Sequence, residues 1–432
     1  MVRVLIAEGR VIDPSQGIDG VRDVVIEDGK IKEVRERGKR EGGKKAGGSR
    51  NVIAAEGMLV LPGLVDMHVH LREPGFEYKE TIKTGTAAAL RGGITSVCCM
   101  PNTNPVNDNS SVTEFIRKRA VQEGSCSVFP VGAITKGQRG EELAEFTMMY
   151  EAGCMAFSDD GRPVTDGMMM RRALEYSKIL GAPVISHCED LSLSAGGVMN
   201  EGLLSVTLGL KGIPSQAEEI MVARDIALAE LTGGRLHIAH VSTARSVEII
   251  RAAKKRGIAD ITAETCPHYF SITEEAVRNY DTNARVNPPL RRKRDVEAIM
   301  EGLRDGTIDA IATDHAPHHM DEKQREFDLA PSGISGLETS IGLSMRLVDD
   351  GVLSLTQLVE KMAFNPSAIA GLSKGTLKPG SDADVTIVDT KTEYSVDAVR
   401  FVSKGKNSPF DSWVLHARPA VTICNGKVHR WE

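Results

Sequence analysis

The sequence lacks any long apolar segment. In 432 residues, no uncharged apolar run approaches the roughly 18 residues that a membrane-spanning helix requires. The first eight residues, MVRVLIAE, acquire charge too early for a secretory signal peptide. We therefore expect a cytoplasmic protein with no membrane partner.

Paired cysteines and an excess of positive charge are also lacking. The seven cysteines form no C-x-x-C motif and are odd in number, which favours reduced, buried thiols over disulfides. A net charge of −6 argues against a nucleic-acid partner. The basic, glycine-rich stretch 35–50 contains no aromatic residue, so it favours a solvated, flexible hairpin tip over a nucleic-acid patch.

What the sequence does contain is an alternation of strand and helix patterns. Eight apolar strand segments, each followed by a stretch with helical periodicity, predict an α/β fold, a (β/α)8 TIM barrel over residues 59–372. The predicted strands are 63–71, 94–100, 127–134, 154–158, 183–188, 235–241, 258–264 and 308–313. Residues 1–58 and 373–432 carry short strand and turn patterns, and we expect both chain termini to form one small β-sandwich.

Polar side chains recur where the predicted strands end. His68 and His70 are two residues apart, so both point to the same face of the first strand. Because the C-terminal strand ends meet at one mouth of such a barrel, four histidines and two carboxylates converge there. They are His68, His70, His187 and His240, one of Asp159 and Asp160, and Asp314. Six nitrogen and oxygen ligands are too many for one tetrahedral zinc ion, so the sequence predicts two bridged metals, with cobalt or manganese as alternatives to zinc.

The other histidines receive different interpretations. His237 and His240 are three residues apart and cannot share a strand face; His240 lies nearer the strand end, and we expect His237 to be a core histidine. His268 stays open between a structural role and contact with the metal ligands. We expect His319 to be exposed and His416 and His429 to be structural.

Four segments carry a resemblance to a known family. Residues 62–72 (PGLVDMHVHLR), 100–105 (MPNTNP), 287–291 (NPPLR) and 312–318 (ATDHAPH) resemble the class I dihydroorotases of the amidohydrolase superfamily. The resemblance runs over nearly the whole chain. It implies reversible hydrolysis of (S)-dihydroorotate to N-carbamoyl-L-aspartate in pyrimidine biosynthesis, with two zinc ions per subunit.

The resemblance also implies a role for each candidate residue. The first zinc would be held by His68, His70 and Asp314, the second by His187 and His240, and Asp160 would bridge them. Asp314 would serve as general base and then acid for a metal-bound hydroxide. The substrate carboxylate would contact Arg72, Asn102 and His318, and the ring amide edge would contact Asn287. Residues 319–332 are expected to form a lid.

Two alternatives stay open beside this assignment. The first is a hydantoinase- or allantoinase-type enzyme, but such relatives bridge their metals with a carbamylated lysine on strand four. No lysine lies between Lys136 and Lys178. The second is a catalytically silent subunit that scaffolds aspartate transcarbamoylase; retention of the metal histidines counts against it. We expect a homo-oligomer, taken as a dimer, with aspartate transcarbamoylase as a candidate partner.

Overall fold

A parallel barrel forms the centre of the computed structural model, which describes residues 3–36, 50–258 and 260–431. Its strands, numbered one to eight in chain order, are Leu64–Val69, Ile94–Cys99, Ser127–Gly132, Ala156–Phe157, Val184–Ser186, Leu236–Ile238, Ile261–Thr265 and Ala310–Ile311. Each strand pairs with the next along the chain. The barrel is closed where the backbone N–H of His70 donates to the carbonyl of His315 at 2.8 Å. The predicted (β/α)8 barrel is confirmed.

Helices follow the strands, and the longer ones pack around the outside of the barrel. The longer ones are Ile82–Arg91, Ser110–Glu123, Phe146–Ala152, Gly167–Leu180, Gln216–Thr232, Ala244–Lys255, Lys293–Arg304 and Ser340–Asp349. The shorter ones are Leu191–Ser194, Leu203–Leu208, Pro267–Ser271, Met320–Lys323, Leu355–Val359 and Asn365–Ile369. Several begin at a side-chain cap: Thr81, Asn109, Asp166 and Thr243 each accept a hydrogen bond from a backbone N–H in the first turn.

Two apolar clusters hold the barrel together. The larger one packs the strands against the surrounding helices. The smaller one includes Met67, Cys98, Val131, Ile185 and Ala310, which come from strands on different sides of the barrel, so this cluster fills the interior. Burial of these side chains is the main stabilising contribution beneath the mouth.

The two chain ends meet in an eight-stranded mixed sheet. Its strands are Arg3–Asp13, Ile18–Glu27, Lys30–Glu36, Arg50–Ala54, Leu59–Pro62, Val385–Asp389, Arg418–Cys424 and Lys427–Arg430. Leu59–Pro62 joins the ends, since it pairs with Arg3–Asp13 and antiparallel with Val385–Asp389. The sheet buries an apolar cluster of its own that includes Ile6, Val60 and Ile423. The expected joint β-structure of both termini is confirmed, whereas the limits 1–58, 59–372 and 373–432 stay predictions.

Small two-stranded ribbons complete the fold: Met199–Asn200 with Gly212–Ile213, and Tyr394–Ser395 with Val414–Leu415. All seven cysteines are free and buried, as expected. Among the described residues, no helix combines the length and apolarity needed to cross a membrane. The expected hairpin tip lies largely outside the described residues, because 37–49 are not among them.

Candidate metal centre and active site

The mouth of the barrel gathers the four predicted histidines. His70 directly follows strand one, His187 directly follows strand five, and His240 lies two residues beyond strand six. All four are buried. The ring centroids of His187 and His240 are 4.6 Å apart, and those of His68 and His240 are 5.3 Å apart. The histidines therefore surround one small volume.

Asp160 lies at the centre of these histidines. Its Oδ1 is 3.3 Å from His68 Nε2, 3.4 Å from His187 Nδ1 and 3.5 Å from His240 Nε2. Its Oδ2 is 3.5 Å from His70 Nε2. The donor atoms of His68, His70 and Asp160 lie within 4.8 Å of one another, as do those of Asp160, His187 and His240. Asp160 thus belongs to two groups of candidate metal ligands.

Asp314 borders the first of these two groups. It lies three residues beyond strand eight, and its Oδ1 is 3.0 Å from His70 Nε2 and 3.5 Å from His68 Nε2. The same side chain lines the cavity above the histidines. The position suits both a metal ligand and a group that exchanges a proton with a bound molecule.

The outward-facing nitrogens of three histidines meet acceptors. His68 Nδ1 lies 2.7 Å from Glu264 Oε1, and His187 Nε2 lies 2.9 Å from Glu189 Oε2. His70 Nδ1 lies 2.9 Å from the side-chain oxygen of Asn102. An acceptor at one ring nitrogen keeps the proton there and leaves the lone pair of the other nitrogen for a cation. This is the usual arrangement behind metal-binding histidines.

The backbone is strained at three residues of the mouth. Arg72, His240 and Asp314 have φ values of 63°, 34° and 46°, in the left-handed region that side chains other than glycine rarely adopt. Such conformations persist only where the surroundings enforce them, and they concentrate at functional sites. The outer Nδ1 of His240 has no hydrogen-bond partner among the described residues, and its Nε2 lies 2.8 Å from His187 Nδ1.

Asp66 anchors the end of strand eight beneath the site. It accepts hydrogen bonds from the backbone N–H groups of His68 and Thr313, at 3.1 Å each, and from the Thr313 hydroxyl at 2.6 Å. Burial raises its pKa to about 7 despite these donors. Since Thr313 precedes Asp314, Asp66 links the first ligand strand to the loop that carries Asp314.

Charge at the mouth is balanced between imidazoles and carboxylates. Burial alone would raise the pKa of Asp160, but His68, His187 and His240 hold it well below its ordinary value. Burial opposes the charged form of His187, yet Asp160 and Glu189 raise its pKa to about 10. A divalent cation could supply the positive charge that the imidazoles now provide beside Asp160.

The residues fit a divalent metal. His68 Nε2 and Asp160 Oδ1 are buried and make no well-aligned hydrogen bond with any described residue. Buried polar atoms nearly always make a hydrogen bond, so two such atoms 3.3 Å apart without a well-aligned one indicate a cation site. Imidazole nitrogen together with carboxylate oxygen is a donor set that zinc accepts.

A cavity of about 440 Å³ opens above the histidines. The four residues expected to bind substrate all line it: Arg72, Asn102, Asn287 and His318. Arg72 Nε donates to the carbonyl of Pro317 at 3.3 Å, and Asn287 Nδ2 donates to Glu189 Oε2 at 3.0 Å. The structure therefore brings the predicted metal and substrate residues to one place, although their roles stay predictions.

His318 is already engaged at both ring nitrogens. Its Nε2 lies 2.9 Å from the carbonyl of Ser332, and its Nδ1 lies 3.3 Å from Lys79 Nζ. Burial and the cations Arg72, Lys79 and Lys323 keep its pKa well below the ordinary value. A neutral ring that donates to Ser332 has no second N–H for a substrate carboxylate, so contact with substrate requires this segment to rearrange.

Three further residues considered in the sequence analysis have defined surroundings. Asp159 turns away from the metal ligands and accepts from the backbone N–H groups of Ile134 and Thr135 at 2.8 and 3.1 Å. His237 is buried with its Nδ1 2.8 Å from the Thr262 hydroxyl, as expected of a core histidine. His268 is buried, and burial lowers its pKa to about 4.

Glu264, Glu189 and Asp66 were not predicted as site residues. Each had a signal in the sequence, because a carboxylate within or just after a buried apolar strand is rarely left unpaired. Their partners lie far along the chain: Glu264 and His68 are separated by 196 residues. The pattern could mark these residues, but it could not identify the groups they contact.

A parallel barrel whose C-terminal mouth combines four histidines with two carboxylates defines an amidohydrolase-type barrel protein. Solved structures agree with this class: an L-hydantoinase (dihydropyrimidinase) from Arthrobacter aurescens is 27% identical, with a TM-score of 0.88 over 99% of this chain and 96% of that one. A D-hydantoinase from Thermus sp. is 24% identical, with a TM-score of 0.82 over 98% and 94% of the two chains, and supports the fold alone.

Full-length relatives give the family. The Dihydro-orotase-like family matches residues 57–246. A dihydroorotase from Geobacter metallireducens is 59% identical over 99% of both chains, and one from Syntrophus aciditrophicus is 54% identical over 99% of both. One from Acetivibrio thermocellus is 56% identical over 98% of both. This chain belongs to the dihydroorotase family.

Proposed function

We propose that the chain hydrolyses (S)-dihydroorotate to N-carbamoyl-L-aspartate and catalyses the reverse cyclisation in pyrimidine biosynthesis. The observation that carries this proposal is the 59% identity, over 99% of both chains, to a protein named dihydroorotase. The cavity supports it as well, because its lining combines metal-type ligands with the cationic Arg72 and two side-chain amides. That combination suits a small cyclic amide that carries a carboxylate.

Two zinc ions are the proposed cofactors. The ligands would be His68, His70 and Asp314 for one ion, His187 and His240 for the other, and Asp160 for both. The two groups of ligand atoms that share Asp160 support this division. When bound, the ions would lower the pKa of water towards about 7 and stabilise negative charge that develops on oxygen.

Asp314 is the proposed general base and acid. Its carboxylate lines the cavity, and the nearby imidazoles of His68 and His70 keep its pKa below the ordinary value although burial opposes this. An ionised carboxylate in this position can take a proton from the attacking water. It can then deliver that proton to the leaving amide nitrogen, which would otherwise depart as an unstable anion.

Arg72 and Asn102 are the proposed ligands of the substrate carboxylate. The Arg72 guanidinium uses one N–H for the Pro317 carbonyl and keeps others for a planar anion. Asn102 accepts from His70 with its oxygen, so its NH2 group faces outward as a donor. His318 would join them after the rearrangement described above.

The proposal is tested by a substrate panel. Purified protein supplied with zinc is assayed against dihydroorotate, hydantoin and allantoin, beside elemental analysis of bound metal. We expect turnover of dihydroorotate, and its loss in Asp314→Ala while the circular dichroism spectrum shows that the fold is preserved. Preference for hydantoin or allantoin would contradict the proposal and support the hydantoinase-type alternative. Turnover by the chain alone would exclude a silent scaffold.

Cytoplasmic location and assembly are further proposals. We expect a homodimer, which sedimentation of the purified protein can test. Association with aspartate transcarbamoylase is tested by adding that enzyme to the assay: a change in kcat would support a functional complex.

A further inference from the structure

Two side-chain amides face the cavity with opposite polarity. Asn102 presents its oxygen to His70 Nδ1 at 2.9 Å, which leaves its NH2 group available to a ligand. Asn287 does the reverse: its Nδ2 donates to Glu189 Oε2 at 3.0 Å. Which end of an amide faces a ligand decides whether that ligand must offer an acceptor or a donor.

The orientation of Asn287 follows from the chemistry of its neighbour. The hydrogen bond of 3.0 Å from Asn287 Nδ2 to the Glu189 carboxylate places the amide nitrogen towards Glu189 and the amide oxygen away from it. No described residue donates a hydrogen bond to that oxygen. Asn287 itself lines the cavity, and the residue after it is held by a hydrogen bond of 2.6 Å from the Tyr269 hydroxyl to the Pro288 carbonyl.

Glu189 is in turn fixed by a second contact. The same oxygen that accepts from Asn287 lies 2.9 Å from His187 Nε2, and the carboxylate is largely buried. One oxygen therefore orients both a candidate metal ligand and a candidate substrate contact. Because Glu189 is held by His187 and Asn287, it loses little further conformational freedom when substrate binds, which favours a well-defined binding geometry.

We propose that Glu189 is a positioning residue that fixes Asn287 as a hydrogen-bond acceptor, so that this part of the cavity selects an N–H group of the substrate. The inference rests on the proposed function, because dihydroorotate carries ring N–H groups beside its carboxylate. Arg72 and Asn102 offer only donors, which match the carboxylate. A ligand with an acceptor in place of the N–H would leave the Asn287 oxygen facing a like dipole.

A double-mutant cycle tests the coupling. Wild type, Glu189→Leu, Asn287→Ala and the double variant are compared by kcat, KM for dihydroorotate, bound zinc and thermal midpoint. Loss of one hydrogen bond should raise KM about tenfold in each single variant. If Glu189 acts through Asn287, KM of the double variant should also be about tenfold above that of wild type. A rise in KM of about a hundredfold, the product of two independent losses, would overturn the proposal. Loss of zinc in Glu189→Leu with an unchanged KM would overturn it too.

Glu189→Gln is the matched conservative variant. One amide oxygen can accept both hydrogen bonds that Glu189 Oε2 now accepts, so KM should return to within about threefold of wild type. A purely electrostatic role of the Glu189 charge predicts no such rescue. Failure of Glu189→Gln to restore KM, in protein that retains zinc and melts normally, would count against the positioning role.

Methylated substrates give a test that does not depend on Glu189 variants. The two mono-N-methyl derivatives of dihydroorotate each lack one ring N–H. Wild type should discriminate against one of them by about tenfold or more, and Asn287→Ala should lose that discrimination. Equal use of both derivatives and the parent compound would overturn the proposal. If wild type instead turns over hydantoin, the proposed function fails, and the same comparison applied to hydantoin N–H groups tests the inference separately.

Discussion

The buried carboxylates among the histidines of the barrel mouth differ in their surroundings from two largely buried carboxylates outside that group, Asp159 and Glu338. At the barrel mouth, histidines outweigh the effect of burial and hold the pKa values of Asp160 and Glu264 below the ordinary range. At Asp159 and Glu338 the hydrogen-bond donors are neutral, and burial raises the pKa of Asp159 to about 6 and that of Glu338 to about 7. Burial makes a carboxylate costly to ionise, and imidazoles offset this cost for Asp160 and Glu264.

Asp159 and Asp160 allow the sharpest test, since they are adjacent in sequence but belong to different groups. We expect Asp160→Ala to lose zinc from both sides of the centre, because its carboxylate is common to both sets of ligands. The fall in kcat should exceed the roughly 100-fold that loss of a group behind a metal ligand can cost. Metal content by mass spectrometry and steady-state kinetics check this.

Asp159→Asn is the control for that variant. It should keep both zinc ions, because Asp159 contacts only the loop at Ile134 and Thr135. It should lower the free energy of unfolding by about 1–3 kcal/mol, since an amide cannot satisfy every donor that the carboxylate now satisfies. Retention of both zinc ions by Asp160→Ala, or their loss from Asp159→Asn, would remove the distinction between the two positions.

Glu264→Gln tests whether the carboxylate that contacts His68 Nδ1 affects only the metal site that contains His68. Glu264 contacts His68 and not His187 or His240, so zinc affinity should fall about 10- to 100-fold at the His68 side and stay near wild type at the other. Competition with a chelator during metal titration resolves the two sites. His237→Gln is the control: His237 is 3.3 Å from the other oxygen of Glu264, and its loss should have a much smaller effect. An equal loss of zinc affinity at both sites would show that Glu264 does not act on the His68 site alone.

Glu338→Gln addresses a largely buried carboxylate outside the histidine group and should have the smallest effect. The pKa of Glu338 is raised in the folded state, so the folded protein binds more protons than the unfolded chain between about pH 4.5 and 7. Its contribution to stability is therefore present at low pH and is lost as the pH rises through 7. The variant should melt roughly 2 °C above wild type at pH 8 and together with it near pH 4.5. A difference independent of pH would contradict this assignment.

The barrel and part of the metal site could be predicted because they follow the periodicity of apolar residues in the sequence. Alternation of strands and helices gave the fold, and a spacing of two on strand one placed His68 and His70 together. The Asp159 and Asp160 pair could not be resolved in this way. Strand four ends at Phe157, and beyond a strand end the turn, rather than alternation, sets the direction of a side chain. The choice of Asp160 came from the family resemblance.

Tertiary pairing also shortened one predicted helix. The apolar period over residues 141–152 predicts a helix that starts at Glu141, but the helix begins at Phe146. Leu143 forms a bridge with Thr135, and the N–H of Ala144 donates to the carbonyl of Ile134 at 2.9 Å. A local apolar period carries no information about such a contact, because the partner segment lies outside the window that defines the period.

The order in which the strands are synthesised affects how the terminal sheet can form. Leu59–Pro62 emerges early, yet its neighbour Val385–Asp389 lies on the far side of the entire barrel sequence. Until that neighbour is translated, on the order of tens of seconds later at ordinary rates of synthesis, one edge of a strongly apolar strand stays open to wrong pairing. Yield in cells should therefore depend on chaperone supply and translation speed more than the stability of the finished molecule would suggest.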